Sequence, residues 1–202
     1  MASAFQDMIN QAFSTATLVP NLSDVQHEPL YDSITINAGG SIDDQSTMFF
    51  TTVGPASGKS LGLTNLTQSQ KLVSPEVFSI QTIQVRWQEN ALLLDVRNML
   101  NHFALELWLN NVKPYNRGPL WYYAAGGGIW SASTNTNEST YVNGVPDRNA
   151  VRPRAITLVI ENNSTFFAHF VGAPLLATAA NLGGQGVFLQ CLLDGLHGRA
   201  VG

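Results

Sequence analysis

From Ser33 onward the chain is written in alternation. Ile34 and Ile36 trade places with Thr35 and Asn37, Met48–Val53 is rich in Phe and Thr, and residues 77–87 read VFSIQTIQVRW. Side chains of an extended chain point to opposite faces at each step, so a period of two predicts strands. Within the third of these runs Phe78 and Ile80 share one phase, while Ile83, Val85 and Trp87 share the other. That slip predicts a β-bulge near Gln81–Thr82. Leu92, Val96, Met99 and Leu100 then keep helical spacing, which predicts a short helix leading into a strand over Phe103–Val112. In that strand Phe103, Leu105, Leu107 and Leu109 fall on one face, with Glu106 and Asn110 on the other.

The punctuation between these runs is Gly, Pro and Asn. Residues 54–70 are loop material, and Pro114 and Pro119 bracket a corner before Leu120–Tyr123. After Gly126–Gly128 the stretch from Ser131 to Asn149 is polar and carries no apolar period, so it is expected to lie outside the core. Ile156–Ile160 and Phe166–Val171 flank Asn162-Asn163-Ser164, the signature of a hairpin. Val187–Leu193 is the last run, and Asp194-Gly195 follows it as an expected turn. The sum is eight strands with accessory helices and no internal repeat. Unequal connections and an inter-strand helix suit an all-β fold, an eight-stranded jelly-roll sandwich.

The start of the chain follows different rules. Phe5, Met8, Ile9, Ala12 and Phe13 recur at the spacing of one helical face, Ser3 stands where an N-cap would, and Asp7 suits the positive end of the helix dipole. Pro20 ends the helix, and the chain to Leu30 is polar and irregular. This divides the chain into an arm and linker over residues 1–30 and one domain over 31–202. The apolar face of Phe5, Met8, Ile9 and Phe13 needs a partner surface, because isolated helices this short are marginal in water. Packing on its own domain and clamping onto a neighbouring subunit both provide one.

Composition narrows the function classes. The 202 residues suffice for one all-β domain with a core of its own. Charged residues make up only 12%, far below the usual quarter, so little repulsion keeps copies apart. The net charge of −4, with no Lys or Arg before Lys59, argues against direct nucleic-acid binding and against a basic arm. Cys191 is alone, which excludes an internal disulfide. No run is long and apolar enough to span a membrane, and no secretory signal is expected from the first residues. The Asn-x-Ser/Thr triplets at Asn21, Asn65, Asn137, Asn162 and Asn163 then read as by-products of a polar surface.

Candidate chemistry is sparse. Gly54-Pro-Ala-Ser-Gly58-Lys59-Ser60 approaches a phosphate-binding loop, but it has three residues between its glycines where four are needed to wrap a phosphate. His27, His102, His169 and His197 show no paired spacing, so no metal site is expected. Asp43-Asp44 suits a hydrogen-bonded turn as readily as a calcium loop. No Ser sits in a strand–turn–helix elbow, and no catalytic group, cofactor or small-molecule substrate is implied. Trp108, Trp121, Tyr122, Tyr123 and Trp130 offer ligand stacking, although large aromatics more commonly build cores and subunit contacts.

One resemblance covers roughly residues 45–200. Its carriers are Phe78, Ile80, Ile83, Val85, Asp95, Lys113, Tyr115, Pro119, Leu120, Gly126–Ile129, the run Leu193-Asp194-Gly195-Leu196, and Arg199. In that order they resemble the major capsid proteins of tailless icosahedral bacteriophages. The resemblance implies a non-enzymatic coat subunit of the virion, made in the host cytoplasm, that self-associates into capsomers. Relatives often carry two jelly rolls and this chain has length for one, so a second coat protein as partner stays open, as does contact with an inner viral membrane. The alternative is a carbohydrate-binding β-sandwich of a viral fibre or spike.

Overall fold

A computed structural model describes residues 7, 24–87, 91, 93–123, 125, 130–135, 138–142, 153–155, 158–176 and 186–199. The expected N-terminal helix, with Phe5, Met8, Ile9 and Phe13, lies outside them, as does the Gly126–Ile129 corner.

The architecture is all-β, built from two antiparallel sheets with a helix between strands. The larger sheet contains β1 (Asp24–His27), β2 (Leu30–Ile36), β4 (Glu76–Trp87), β9 (Leu158–Glu161) and β12 (Val187–Arg199). β12 is its spine. One edge of β12 takes β2 along residues 187–193 and β1 along residues 196–199, and the other edge takes β4, which in turn pairs with β9. The smaller sheet runs β10 (Phe166–Gly172), β5 (Phe103–Leu109), β6 (Lys113–Pro119). Two short pairs complete the described strands: β3 (Ser41–Ile42) with β11 (Leu175–Leu176), and β7 (Trp130–Asn135) with β8 (Glu138–Val142).

The two sheets enclose one core. Phe78, Ile80, Val85 and Trp87 from the larger sheet and Phe103, Leu105, Leu107, Phe166 and Phe170 from the smaller are buried in the same cluster. The helix α1 (Leu93–His102) carries the chain from β4 to β5 and contributes Val96 and Met99, both fully buried. Each such side chain is worth about 1.5–3 kcal/mol of removal from water, so the alternating strands commit strongly to their inward faces.

The expected bulge is present. Asp194 pairs with Thr82 and Gly195 with Ile80, which leaves Gln81 as the extra residue on β4. The same register overturns the turn expected at Asp194-Gly195, because β12 runs straight through it. Glycine is required there because a Cβ on Gly195 would stand 1.9 Å from the Ser79 carbonyl oxygen. Across Asp194-Gly195-Leu196-His197-Gly198 the strand lacks apolar alternation, yet it is held by pairing with β4 throughout and with β1 from Leu196 onward.

Other expectations fall to neighbours far away in sequence. Met48–Val53 forms no strand; its backbone pairs with the smaller sheet at the isolated bridge Phe49–Ala168, and Phe50 adopts φ 67°. A bulky residue rarely occupies that region. Here the buried Asp32 accepts the Phe50 N–H at 2.7 Å, and the Phe50 ring is seated against Phe166, 5.3 Å between centroids. The proline-bracketed corner is the strand β6, whose prolines are tolerated because among the described residues it pairs on one side only. Leu120–Tyr123 is a 3-10 turn. Asn162-Asn163-Ser164 turns the chain from one sheet to the other, because β9 pairs with β4 and β10 with β5. Within the polar excursion β7 and β8 pair with each other and with neither main sheet, so part of it is a hairpin appended to the sandwich. The linker contains β1, held on the spine although it has no apolar alternation of its own.

Candidate functional site

Three polar or aromatic constellations emerge from this frame, and two of them prove structural. In the first, Lys59 of the near-phosphate loop reaches inward. Its ammonium lies 2.7 Å from Oδ1 of Asp32, whose other oxygen holds the Phe50 N–H. A fully buried carboxylate needs such partners, and the lysine that a phosphate would require is committed to it. Gly54 and Gly58, at φ 77° and 78°, shape the 3-10 turn over Pro55–Ser57 between them.

The second lies on the outer side of the smaller sheet. Glu106, expected to face outward, does so but is only 3% exposed. Its cross-strand neighbours are Arg117 on β6 and His169 on β10, so three strands present Arg, Glu and His in one row. The carboxylate accepts from Arg117 Nε and from Trp108 Nε1 at 2.7 Å, with His169 Nε2 3.4 Å away. Burial pushes the Glu106 carboxyl up, but the hydrogen bonds from Trp108, Arg117 and His169 outweigh it and hold it below the usual glutamate value. Trp108 stacks on Phe167 at an interplanar angle of 9° and thereby roofs the row.

The third is concave. Beyond β9, two backbone hydrogen bonds among the described residues reach β4, Ala125 N–H to Val85 O and Arg154 N–H to Gln81 O. The bulge therefore fixes the 153–155 segment. Between it, β4, β6 and the 3-10 turn lies a cleft of about 330 Å³, lined by Ile83, Asn116, Tyr122, Tyr123 and Arg154 with Pro153 and Ala155. Tyr123 is buried and presses against Gly118, where a Cβ would come within 2.7 Å of its hydroxyl. Burial raises the Tyr123 phenol above its ordinary value, against the pull of the Arg154 charge, and burial lowers the Arg154 guanidinium. Tyr122, in the cleft lining, is 41% exposed, and Trp121, which meets it edge to face, is 56% exposed.

The aromatic set named from the sequence thus divides. Tyr123 is core, Trp108 covers a buried carboxylate, and Trp121 and Tyr122 face water; the side chain of Trp130 lies outside the described residues. Asp43 is a turn residue, accepting from Ser41 Oγ and from the Gln45 and Ser46 N–H groups. These bonds, the Ser46 N–H foremost, hold its carboxyl below the ordinary value. Among the described residues no three His, Cys, Asp or Glu side chains gather as ligands for a metal ion, and none forms a helix long and apolar enough to cross a membrane. Arg154, the cation of the cleft, was missed from sequence because nothing in VRPRA marks it, and only the Gln81 bulge places it.

The residues behind the capsid resemblance are spread through the frame. Phe78, Ile80, Ile83 and Val85 line β4, Asp95 is buried on α1, Lys113 lies over the Tyr115 ring on β6, and Leu193 to Arg199 follow the spine. The chain matches no protein-family model, no curated protein and no solved structure.

Proposed function

We propose that this chain is a jelly-roll coat protein that assembles into the capsomers of an icosahedral virus. The observation that carries the reading is the order of pairing. Take β2, the Phe49 segment, β4, β5, β6, β9, β10 and β12 as eight successive members. The first then pairs with the last, the second with the seventh, the third with the sixth and the fourth with the fifth. A long antiparallel ribbon has this pattern, and wrapping it around a core brings β12 beside β4 and β10 beside β5. That is the arrangement expected of a jelly roll, an architecture used by viral capsids. The low charge content and the exposed Leu61, Val112, Tyr115 and Trp121 support association between copies. The resemblance to coat proteins of tailless icosahedral bacteriophages supplies the class of virion.

On this reading the protein works by geometry, without catalysis. Its partners are further copies of itself, with a second coat protein and an inner viral membrane as further contacts to be tested. Electron microscopy and native mass measurement of the purified full-length chain provide the test. Trimers, hexamers or shells are expected, and a strict monomer at high protein concentration would refute the coat reading. A sugar-binding sandwich of a viral fibre or spike is the second reading, favoured by the water-facing Trp121 and Tyr122.

A further inference from the structure

We propose that β1 is a pH-controlled latch, clamped on the spine when His27 and His197 carry protons and loosened when they lose them. Little else holds it. Among the described residues β1 pairs with one neighbour, over four positions, and none of its four side chains is fully buried. Backbone bonds at such an edge open readily when few apolar contacts guard them. The remaining contacts are between histidines and carboxylates. His27 Nε2 lies 3.1 Å from Asp194 Oδ1 on β12, and just past the end of β1 Glu28 Oε2 lies 3.5 Å from His197 Nδ1. His197 Nε2 in turn lies 3.4 Å from Glu76 Oε2 on β4, so one ring on the spine stands between two carboxylates from two other parts of the chain.

Charge decides what these contacts contribute. Those of His197 are long for hydrogen bonds, and its Nε2 is buried without a hydrogen-bond partner among the described residues. A neutral ring therefore gains little from either glutamate, whereas a protonated ring attracts both. The fixed charges act in the same direction. Asp24, Glu28, Glu76 and Asp194 surround the two rings, and Arg199 lies across from Asp24 on one side and Glu76 on the other. Four carboxylates and one guanidinium leave −3 with both rings neutral and −1 with both protonated. Histidine changes charge between about pH 5 and 8, above the range in which carboxylates take up protons. The clamp is therefore present on the acid side of that window and is lost as pH rises through it. His197, with 15% of its side chain exposed, should outweigh His27 at 63%, whose attraction water screens. Residues 1–23 join the domain through β1, so the latch sets whether their tether begins at Asp24 or at Leu30.

This inference does not rest on the coat reading, and hydrogen exchange of the full-length chain, followed by mass spectrometry, tests it. Protection of the amides of residues 24–28, corrected for the intrinsic exchange rate, is compared at about pH 5.5 and about pH 8. The amides of β2 on the same edge of the spine serve as the internal control. Protection of β1 should be about threefold to tenfold greater in acid, the size expected of one or two ion pairs, while that of β2 changes by less than about twofold. H197Q should remove most of that ratio, H27Q a smaller part, and the double variant all of it. If H197Q fails to fold, E28Q carries the test, because the Glu28 side chain is 47% exposed and its loss removes a charge partner of His197 without opening the core. Protection of β1 that is independent of pH overturns the proposal. So does a ratio that survives in the double variant, or in E28Q where the double variant does not fold. A ratio shared equally by β2 also overturns it, since the whole sheet and not the latch would then respond.

Discussion

Asp32 and Glu106 are both acids on strands and both are shut away from water, yet the molecule neutralises them differently. Asp32 is fully buried on β2 and draws its partners from a distance: the Lys59 ammonium and the Phe50 N–H, both brought in by the loop between β3 and β4. Glu106 is served by its own sheet, from Arg117 and His169 directly across the strands and Trp108 two residues along. The first arrangement makes a carboxylate the anchor for a long loop. The second makes it the middle of a row that would exist in any correctly registered sheet. Loss of a partner should therefore be felt globally at Asp32 and locally at Glu106.

The largest effect is expected from K59M, which leaves the Asp32 charge buried without its counterion. Such losses cost about 3–5 kcal/mol, read as a shift in the urea midpoint. D32N combined with K59M should recover much of that loss, and a double variant as unstable as K59M would show that the lysine acts through packing alone. Next comes E106A, expected at about 1–3 kcal/mol, because Trp108 Nε1 and the His169 ring lose their acceptor. R117A should cost less, about 1 kcal/mol or under, because Arg117 is 64% exposed and its attraction is screened by solvent. If R117A proves as damaging as K59M, the distinction between anchor and row collapses.

The smallest test is acidification. Glu106 is held below its usual value, so its contribution is present above the unfolded-state pKa near 4.5 and is lost as pH falls through the lower folded value. The wild-type chain should lose stability over that window, and E106Q should flatten this part of the curve. A profile unchanged by E106Q would remove Glu106 from the acid response.

These two sites also show why some features could be read in advance and others could not. β4, its bulge, α1 and the inward face of β5 follow from local periodicity, which a packed core enforces residue by residue. Glu106 was legible as facing away from that core, but its burial depends on Arg117 and His169 arriving in register. Asp32 gave no sign, because Lys59 and Phe50 lie 27 and 18 residues away along the chain. The same holds for β6, read as a corner because prolines weaken strand signals, and for β1, which has a partner but no pattern. The cleft was half visible: its aromatics were named beforehand, whereas its cation depended on a bulge carbonyl 73 residues away, at Gln81.

The prolines of β6 have a consequence for growth. Among the described residues the strand occupies one margin of the smaller sheet, shows every second residue to water, and lacks an N–H at Pro114 and Pro119. At that margin a second copy cannot extend the sheet along an unbroken ladder of backbone bonds, the route by which β proteins fuse into fibres. On the coat reading, copies that approach this margin would meet through side chains and loops, contacts that can break and re-form. Such contacts would permit proofreading: a misplaced copy could leave before the next arrives, favouring closed shells over irreversible threads.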